Sequence, residues 1–330
     1  MSSNTIHIAY TTSRSYISFD AISIHSILYS NPTYKFHFHI LGYELEESDI
    51  ENVSDIIPKN RAQLSIYPMN RLREMLTIDV PKSFPLIAYA RLFLASVLPK
   101  DINRVLYLDG DTVIRGDVRQ LYETDLGDNL VGAIIDPIVN KEYKYRTGIP
   151  YDEPYINAGV LLIPLDRWRE ENIEAKFVEH LVKHNGSVYM FDQGLVNAVC
   201  VGRKMLVSPK YDMMTNYMTF NYSYLKKHNT PFYPESVIKE ALADPVIIHF
   251  TGRIYGRPWE EGCKHPYKDL FIYHKNRTAY RTIPLGRSSV RGIDAVEVLL
   301  YHHFPFVFYR IFKSAIFRIS NIKKKVCLKG

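Results

Sequence analysis

Residues 104–111 read RVLYLDGD, an apolar run followed directly by two acidic residues. Side chains two positions apart on a strand point to the same face, so Asp109 and Asp111 can act together. Gly110 is predicted to let the backbone bend so that both carboxylates reach one ion. Open α/β sheets bind ligands at the carboxyl ends of their strands, where this pair is expected. Paired carboxylates suit a hard divalent ion such as Mg²⁺ or Mn²⁺, a partner of phosphates. The alternative is an acidic turn after a strand.

Strands and helices alternate along the chain up to about residue 250. Strands are predicted at residues 6–10, 36–41, 64–67, 105–108 and 130–135, and helices at residues 16–29, 46–57 and 86–98. Such alternation is typical of an α/β fold with a mostly parallel sheet and helices on both faces. A chain of 330 residues is long enough for one large domain or two smaller ones.

The net charge of +6 is concentrated at the C-terminus. Seven Lys or Arg and no acidic residue lie from residue 298 onward, which leaves 34 basic against 35 acidic residues in the rest of the chain. A nearly neutral body argues against binding of nucleic acid, which requires a basic face.

The N-terminal residues and the cysteines indicate the cellular compartment in which we expect the protein. Residues 1–8 lack the basic and apolar regions of a signal peptide. The cysteines, Cys200, Cys263 and Cys327, are odd in number, far apart and without metal-ligand spacing. This usage indicates reduced thiols, and we expect a cytoplasmic protein.

Other polar residues stand where predicted elements begin or end. Asn157 precedes an apolar run, and Asp192 opens a helix predicted at 191–199, where it can also serve as a simple N-cap. His249 ends an apolar strand; alone it is more often structural, but with two Asp it completes a mixed oxygen and nitrogen metal site. Arg91 lies on a predicted helix, and by itself it is most simply a surface or ion-paired residue.

Taken together, these segments resemble the family 8 glycosyltransferases, in particular the bacterial galactosyl- and glucosyltransferases that extend lipopolysaccharide or lipooligosaccharide cores. The resemblance covers about residues 6–259. It rests on YARL at 89–92, LYLDGD at 106–111, NAGVLL at 157–162, DQ at 192–193, HFTG at 249–252 and RPW at 257–259. It implies a retaining enzyme with the GT-A nucleotide-diphospho-sugar transferase fold.

The resemblance also implies roles for individual residues. Asp109, Asp111 and His249 would hold Mn²⁺ or Mg²⁺ against the diphosphate of a UDP-sugar. Further donor contacts are implied at Ala9, Thr11, Arg91, Gly110, Asn157, Ala158, Asp192, Gln193, Gly252 and Arg257. Gln193, with Asp192, would lie at the reacting sugar, and Asp136 would contact the acceptor. An amide is a poor nucleophile, so front-side attack is favoured over a covalent intermediate.

This chain departs from the family pattern in two stretches. No acidic residue follows the first predicted strand at residues 9–13, where the family often has residues that read the nucleotide. The loop after Gly252 is two residues longer, and Arg257 stands where the family commonly has Lys. Arg binds phosphate with a different geometry.

Two alternative functions remain from the residues alone. Asp109 to Val113 also fits the nucleophile motif of haloacid-dehalogenase-like phosphatases, in which the first Asp attacks phosphorus. That motif normally lies on the first strand of its domain, whereas residues 1–108 precede it here. A non-catalytic sugar-nucleotide or membrane-binding protein is the third hypothesis.

The predicted domain boundaries are a catalytic domain at 1–260, an irregular linker at 261–292 and a basic tail at 293–330. Residues 298–309 are apolar but contain Pro305 and are too short to span a bilayer. The interleaved cations and apolar residues that follow are typical of a helix in the membrane interface. The predicted apolar side chains are Phe306, Phe308, Tyr309, Phe312, Ile316, Phe317 and Ile319.

The tail predicts a peripheral protein on the inner face of the cytoplasmic membrane. The expected partners are a nucleotide-sugar donor, a saccharide or lipid-linked glycan acceptor, and an anionic membrane surface. Galactose and glucose donors are not distinguished by the sequence.

Overall fold

The computed structural model describes residues 5–82 and 84–327, with side chains up to residue 316 in the last helix. Residues 1–4 of the N-terminus therefore lie outside the described residues, and residues 5–8 already belong to a strand. Contacts divide the chain into two compact units. The first unit comprises Met1–Phe250 and Tyr273–Thr282, and the second comprises Thr251–Ile272 and Ile283–Gly330. The sequence-based boundaries at 260 and 292 stay a prediction.

The described part of the chain contains ten strands. They are β1 (Thr5–Ser13), β2 (Lys35–Tyr43), β3 (Ala62–Pro68), β4 (Arg104–Leu108), β5 (Thr112–Ile114), β6 (Val131–Ala133), β7 (Val160–Pro164), β8 (Lys204–Leu206), β9 (Met213–Met214) and β10 (Ile247–His249).

Fifteen α-helices accompany them in the same residues. They are α1 (Ile17–Ser30), α2 (Glu47–Ser54), α3 (Leu72–Leu76), α4 (Leu94–Val97), α5 (Arg119–Tyr122), α6 (Lys141–Thr147), α7 (Leu165–Glu170), α8 (Ile173–Lys183), α9 (Phe191–Val199), α10 (Thr215–Thr219), α11 (Tyr222–His228), α12 (Glu235–Ala243), α13 (Lys268–Lys275), α14 (Ile293–His303) and α15 (Phe306–Cys327).

Seven strands of the first unit form the main sheet, in the order β3-β2-β1-β4-β7-β6-β8. Only β7 is antiparallel to its two neighbours among these seven strands, so the prediction of a mostly parallel sheet in an α/β fold with helices on both faces is confirmed. The chain passes from β1 to β2 and β3 on one side and returns to β4 on the other side. The carboxyl ends of β1 and β4 thus flank a topological switch point, where α/β sheets bind ligands.

A small three-stranded sheet, β5-β10-β9, lies beside this point. The strand β5 begins directly after Asp111, and it pairs antiparallel with β10, so that Thr112 lies opposite His249. The amide of Phe250 also donates to the carbonyl of Asp111, at 3.0 Å. Two residues more than a hundred positions apart in sequence are therefore held together by backbone pairing.

The central strand β4 is buried on both faces, which explains its continuous apolar sequence. Its neighbour β7 presents Leu161 opposite Tyr107, and Leu161 is completely buried. Polar side chains lie directly after β4 and directly before β7. The pairing of these two strands brings both groups of residues together.

The helix predicted at residues 86–98 is corrected by the structure. Leu86–Phe93 form a 3₁₀-helix, and only Leu94–Val97 are α-helical. The side chain of Arg91 donates from Nε to the carbonyl of Ala88, the group that an α-helix would pair with the amide of Leu92. The side chain of Arg91 in this 3₁₀-helix is buried.

Residues in the predicted linker also adopt regular structure. They contain α13 and a 3₁₀-helix at Ala279–Thr282. In the second unit, a backbone bridge joins Glu260 to Gly286, and α14 and α15 follow. No helix in the described part of the chain has the length and hydropathy needed to cross a membrane.

We predict that Leu161→Ala lowers the free energy of unfolding by about 2–5 kcal/mol, because it leaves a cavity in the hydrophobic core that packs against the main sheet. The matched control is Leu206→Ala on the outer strand β8, where the side chain is 36% exposed and the loss should stay below about 1 kcal/mol. Urea denaturation followed by circular dichroism measures both. Equal losses would contradict the placement of Leu161.

Candidate active site

Asp109, Asp111 and His249 come together at the carboxyl end of β4. The His249 Nε2 atom lies 3.1 Å from Asp111 Oδ1 and 4.0 Å from Asp109 Oδ2. One ligand atom of each side chain lies within 4.8 Å of the others. The two carboxylates are half-buried, whereas His249 is 4% exposed. Two oxygens and one imidazole nitrogen form a donor set that suits a divalent ion such as Mn²⁺.

A fourth residue, Asp212, lies behind His249. Its side chain is fully buried, and its Oδ1 accepts a hydrogen bond from His249 Nδ1 at 2.8 Å. Burial alone would lower the pKa of His249, but the charges of Asp212 and Asp111 outweigh burial and raise it well above its usual value. A carboxylate on the far nitrogen of a metal-ligating histidine fixes the ring and directs the other nitrogen toward the ion.

Gly159 leaves room for this group of side chains. A Cβ atom at Gly159 would lie 2.3 Å from His249 Cε1 and 2.8 Å from Asp109 Oδ2. The carbonyl of Gly159 accepts a hydrogen bond from the amide of Asp109 at 2.7 Å. The backbone of this glycine therefore packs directly against the candidate ligands, and any side chain would displace them.

Gly110 lies in the turn between β4 and β5, where a bend is predicted. Its φ is not in the left-handed region, but a Cβ atom there would lie 2.2 Å from Asp20 Oδ1. Asp20 is buried on α1, and its Oδ2 has no hydrogen-bond partner among the described residues. Burial, together with the charges of Asp109 and Asp111, raises its pKa well above the usual value. The missing side chain at Gly110 therefore makes space for a buried carboxyl group.

Arg91 connects the candidate metal ligand Asp109 to α9. It is buried, and its guanidinium pairs with Asp109 Oδ1 at 2.9 Å and with Asp192 Oδ2 at 3.0 Å. A third bond goes to the carbonyl of Ala158, at 2.7 Å. Burial raises the pKa of Asp192 to about 6, and Arg91 opposes this effect. Arg91 is therefore a buried, ion-paired residue and not a surface residue.

The carboxyl end of β1 reaches the same place. Ala9 is fully buried and pairs with Tyr107 across the sheet. Thr11 Oγ1 lies 2.9 Å from the Tyr107 hydroxyl, which donates to Asp109 Oδ1 at 2.7 Å. Ala9 therefore lies next to Tyr107 in the sheet, and Thr11 is linked to Asp109 through the Tyr107 hydroxyl.

Amide and carboxyl groups form a second cluster. Gln193 Oε1 accepts from Asn157 Nδ2 at 3.1 Å and from the amide of Ala158 at 3.2 Å. Gln193 Nε2 donates to Asp136 Oδ2 at 3.2 Å. Burial raises the pKa of Asp136. The orientation of the Gln193 amide is thereby fixed at both ends.

The start of α9 is strained. Met190 and Phe191 are in the left-handed region at φ 62° and 53°, a conformation that costs roughly 1–2 kcal/mol for a residue with a side chain. The Phe191 ring stacks on Phe84 with centroids 4.1 Å apart. The strained turn places Asp192 and Gln193 in the first turn of the helix, and Met190 rather than Asp192 occupies the N-cap position.

Gly252 and Arg257 belong to the second unit. Gly252 has a positive φ of 70°. The Arg257 guanidinium lies over the ring of Trp259, 5.3 Å from its centroid. Their roles in donor binding stay predictions.

Sequence reasoning missed Asp20, Asp212 and Tyr107. An acidic residue inside an apolar helix was a signal for Asp20, and an acidic residue before Met213-Met214 was a weaker signal for Asp212. Neither pattern indicates which distant residue the carboxyl group faces.

Comparisons with known proteins match most of the chain to one family. The family model described as glycosyl transferase family 8 matches residues 7–263. A lipopolysaccharide 1,3-galactosyltransferase of Salmonella typhimurium is 24% identical over 83% of this chain and 79% of its own length. A lipopolysaccharide 1,2-glucosyltransferase of Escherichia coli is 24% identical over 86% of this chain and 82% of its own length.

A solved structure shares the fold. The galactosyltransferase LgtC, in complex with donor and acceptor sugar analogs, superimposes with a TM-score of 0.71 at 23% identity. The alignment covers 84% of this chain and 98% of the LgtC chain. At this level of identity the likeness concerns the fold alone.

We predict that Gly159→Ala weakens Mn²⁺ binding by about tenfold or more, because the new methyl group displaces His249 and Asp109. Gly286→Ala is the matched control, since the nearest heavy atom to its Cβ would be 3.7 Å away. Electron paramagnetic resonance during a Mn²⁺ titration measures the affinity. Wild-type affinity in Gly159→Ala would contradict the packing described here.

Proposed function

Since the chain belongs to glycosyl transferase family 8, and is therefore a glycosyltransferase, we propose that it transfers a hexose, galactose or glucose, from a UDP-sugar to a saccharide acceptor of the lipopolysaccharide type. The observation that carries the proposal is the meeting of Asp109, Asp111 and His249 next to the cluster around Gln193. The names of the relatives above, which act on lipopolysaccharide, support the acceptor class.

We propose that Asp109, Asp111 and His249 hold Mn²⁺ or Mg²⁺. When bound, such an ion acts as a Lewis acid that stabilises negative charge on the departing diphosphate. Asp212 orients His249, and Arg91 holds Asp109 from the other side. The donor sugar itself would contact the side chains around Gln193.

The amide cluster supports a retaining reaction by front-side attack. Gln193 is neutral, and both ends of its amide are engaged, so it is suited to orient the sugar and to stabilise positive charge at the anomeric carbon rather than to attack it. Asp192 is held by Arg91, and its carboxylate suits sugar hydroxyls. Asp136 is proposed to contact the acceptor beside Gln193.

The phosphatase hypothesis is not favoured. The Asp109 motif follows the fourth strand along the chain, inside a seven-stranded sheet, and the family match spans it. A non-catalytic sugar-nucleotide protein is not favoured either, because family membership makes this chain an enzyme.

The first prediction for this function concerns the metal. Transfer should stop in excess EDTA and return with Mn²⁺. Asp111→Asn and His249→Ala should each lower kcat by about 100-fold or more through loss of a ligand. Asp244→Asn, which changes a carboxylate that is 84% exposed, should leave kcat unchanged. Release of UDP measures turnover, and full activity in EDTA would rule out the assignment.

The second prediction concerns stereochemistry. The product should keep the α configuration of the donor. Gln193→Ala should lower kcat by about 10²–10³-fold, the range for loss of one electrostatic stabiliser, while the affinity for UDP stays near wild type. Gln63→Ala, at an exposed position on β3, serves as the control. A β linkage in the NMR spectrum of the product would contradict the proposal.

We further propose that the second unit binds an anionic membrane surface at the inner face of the cytoplasmic membrane. Several large apolar side chains on α14 and α15 are exposed: Ile293, Val296, Leu299, Phe304, Val307, Phe308 and Ile311. The cations Arg310 and Lys313 are exposed beside them, although Lys313 also pairs with Glu297 at 2.8 Å. Each basic residue near an anionic surface contributes about 1 kcal/mol.

The structure corrects one predicted membrane contact. Tyr309 is buried, and its hydroxyl donates to Glu297 Oε1 on α14 at 2.9 Å. The side chains of Phe317, Arg318 and Ile319, and those of residues 323–325 and 329, lie outside the described ones, so their part in binding stays a prediction.

The third prediction tests this surface. Phe308→Glu with Ile311→Glu should abolish sedimentation with phosphatidylglycerol vesicles, because two apolar contacts become charges that the lipid repels. Val182→Glu with Leu242→Glu adds the same charge in the first unit and should sediment like wild type. Donor hydrolysis without acceptor should be unchanged in both. Equal sedimentation of both variants would rule out the surface.

A further inference from the structure

Three histidines lie together on the main sheet, apart from the candidate active site. His7 is on β1, and His37 and His39 are on β2. The register places His7 opposite His37, and His39 follows on the same face because side chains alternate along a strand. Ile8 pairs with Leu106 on β4, so His7 precedes the level of Asp109 by about four residues, or roughly 13 Å along the strands.

The ring nitrogens of these histidines converge. One nitrogen of each ring lies within 4.8 Å of the others. His7 Nδ1 and His39 Nε2 are 3.0 Å apart. Two nitrogens bound to one tetrahedral Zn²⁺ at about 2.0–2.1 Å lie about 3.3 Å apart. A small increase in the distance between His7 Nδ1 and His39 Nε2 would therefore allow both atoms to bind one Zn²⁺.

Neighbouring hydroxyl groups orient two of the rings. The Tyr67 hydroxyl is 3.0 Å from His39 Nδ1, and Ser65 Oγ is 2.8 Å from His37 Nε2. A partner on one ring nitrogen fixes the tautomer, so that the other nitrogen presents its lone pair. Both hydroxyls come from β3, the next strand of the sheet.

The local electrostatics favour a soft or borderline cation. Burial lowers the pKa of His7 to about 4 and that of His39 to about 2, so these rings are neutral near pH 7. The negative charge of exposed Asp101 acts on His7 and His37. Neutral imidazoles suit Zn²⁺, whereas Mg²⁺ and Mn²⁺ prefer oxygen.

We propose that His7, His37 and His39 form a binding site for one Zn²⁺ ion, distinct from the site at Asp109, Asp111 and His249. The ion joins β1 to β2 through three nitrogens and leaves one coordination position for solvent. The ion does not take part in sugar transfer, so the site is independent of the proposed function.

The test uses the full chain carrying Asp111→Asn and His249→Ala, which removes the ligands of the other site. After metal removal, this parent should bind one Zn²⁺ in competition with a chromophoric chelator. Adding His7→Asn and His37→Asn, both at half-buried positions, removes two direct ligands. Loss of a single outer partner weakens metal binding by up to about 100-fold, so this variant should bind Zn²⁺ more than about 100-fold more weakly. Adding His180→Asn and His184→Asn instead removes another stacked histidine pair and should leave the affinity unchanged.

A parent that binds no Zn²⁺, or an equal affinity in the His7 and His37 variant, overturns the proposal. Tyr67→Phe in the same parent keeps the test decisive if that variant does not fold. Loss of its hydroxyl should weaken Zn²⁺ binding about 10- to 100-fold, and an unchanged affinity counts against the site. In the parent, Zn²⁺ should also raise the melting temperature, whereas in Tyr67→Phe the same Zn²⁺ concentration should raise it less.

Discussion

The crowding of carboxyl groups at the end of β4 is the constraint on which the site depends. Asp109 and Asp111 lie among the buried acids Asp20, Asp192 and Asp212. Burial disfavours the charged forms of these three acids and raises the pKa of each. Buried charges persist only when they are paired, and the buried Arg91 pairs with both Asp109 and Asp192. A divalent ion held by Asp109 and Asp111, as proposed above, would reduce the repulsion between these carboxyl groups in the same way.

Backbone geometry makes this crowding possible. The pairing of β5 with β10 places His249 beside Asp111, and Gly110 and Gly159 leave out the side chains that would fill the space around Asp20 and His249. The strained turn at Met190 and Phe191 brings α9 to the same place. Such strain persists where surrounding structure fixes it, and it is concentrated at functional sites.

The sheet and much of the site could be predicted because they follow local patterns. Apolar runs bounded by polar residues predicted β1, β2 and β4 to within a few residues, and Asp109, Asp111 and His249 each stand at the end of such a run. The partners that depend on distant pairing could not be predicted. Asp212 faces His249 only because β9 lies beside β10. Local sequence patterns also do not reveal that Gly110 packs against Asp20. Nor do they reveal that Leu86–Phe93 form a 3₁₀-helix from which Arg91 pairs with Asp109 and Asp192.

The most direct test of the account is the thermodynamic coupling between Mn²⁺ and UDP. If Asp109, Asp111 and His249 hold an ion that contacts the diphosphate, Mn²⁺ should tighten UDP binding by about 5- to 150-fold, and UDP should tighten Mn²⁺ binding by the same factor. Isothermal titration of UDP with and without Mn²⁺, and of Mn²⁺ with and without UDP, measures both factors. Reciprocal coupling that disappears in Asp111→Asn is the predicted result. Equal UDP affinity in Mn²⁺ and in EDTA would contradict the account.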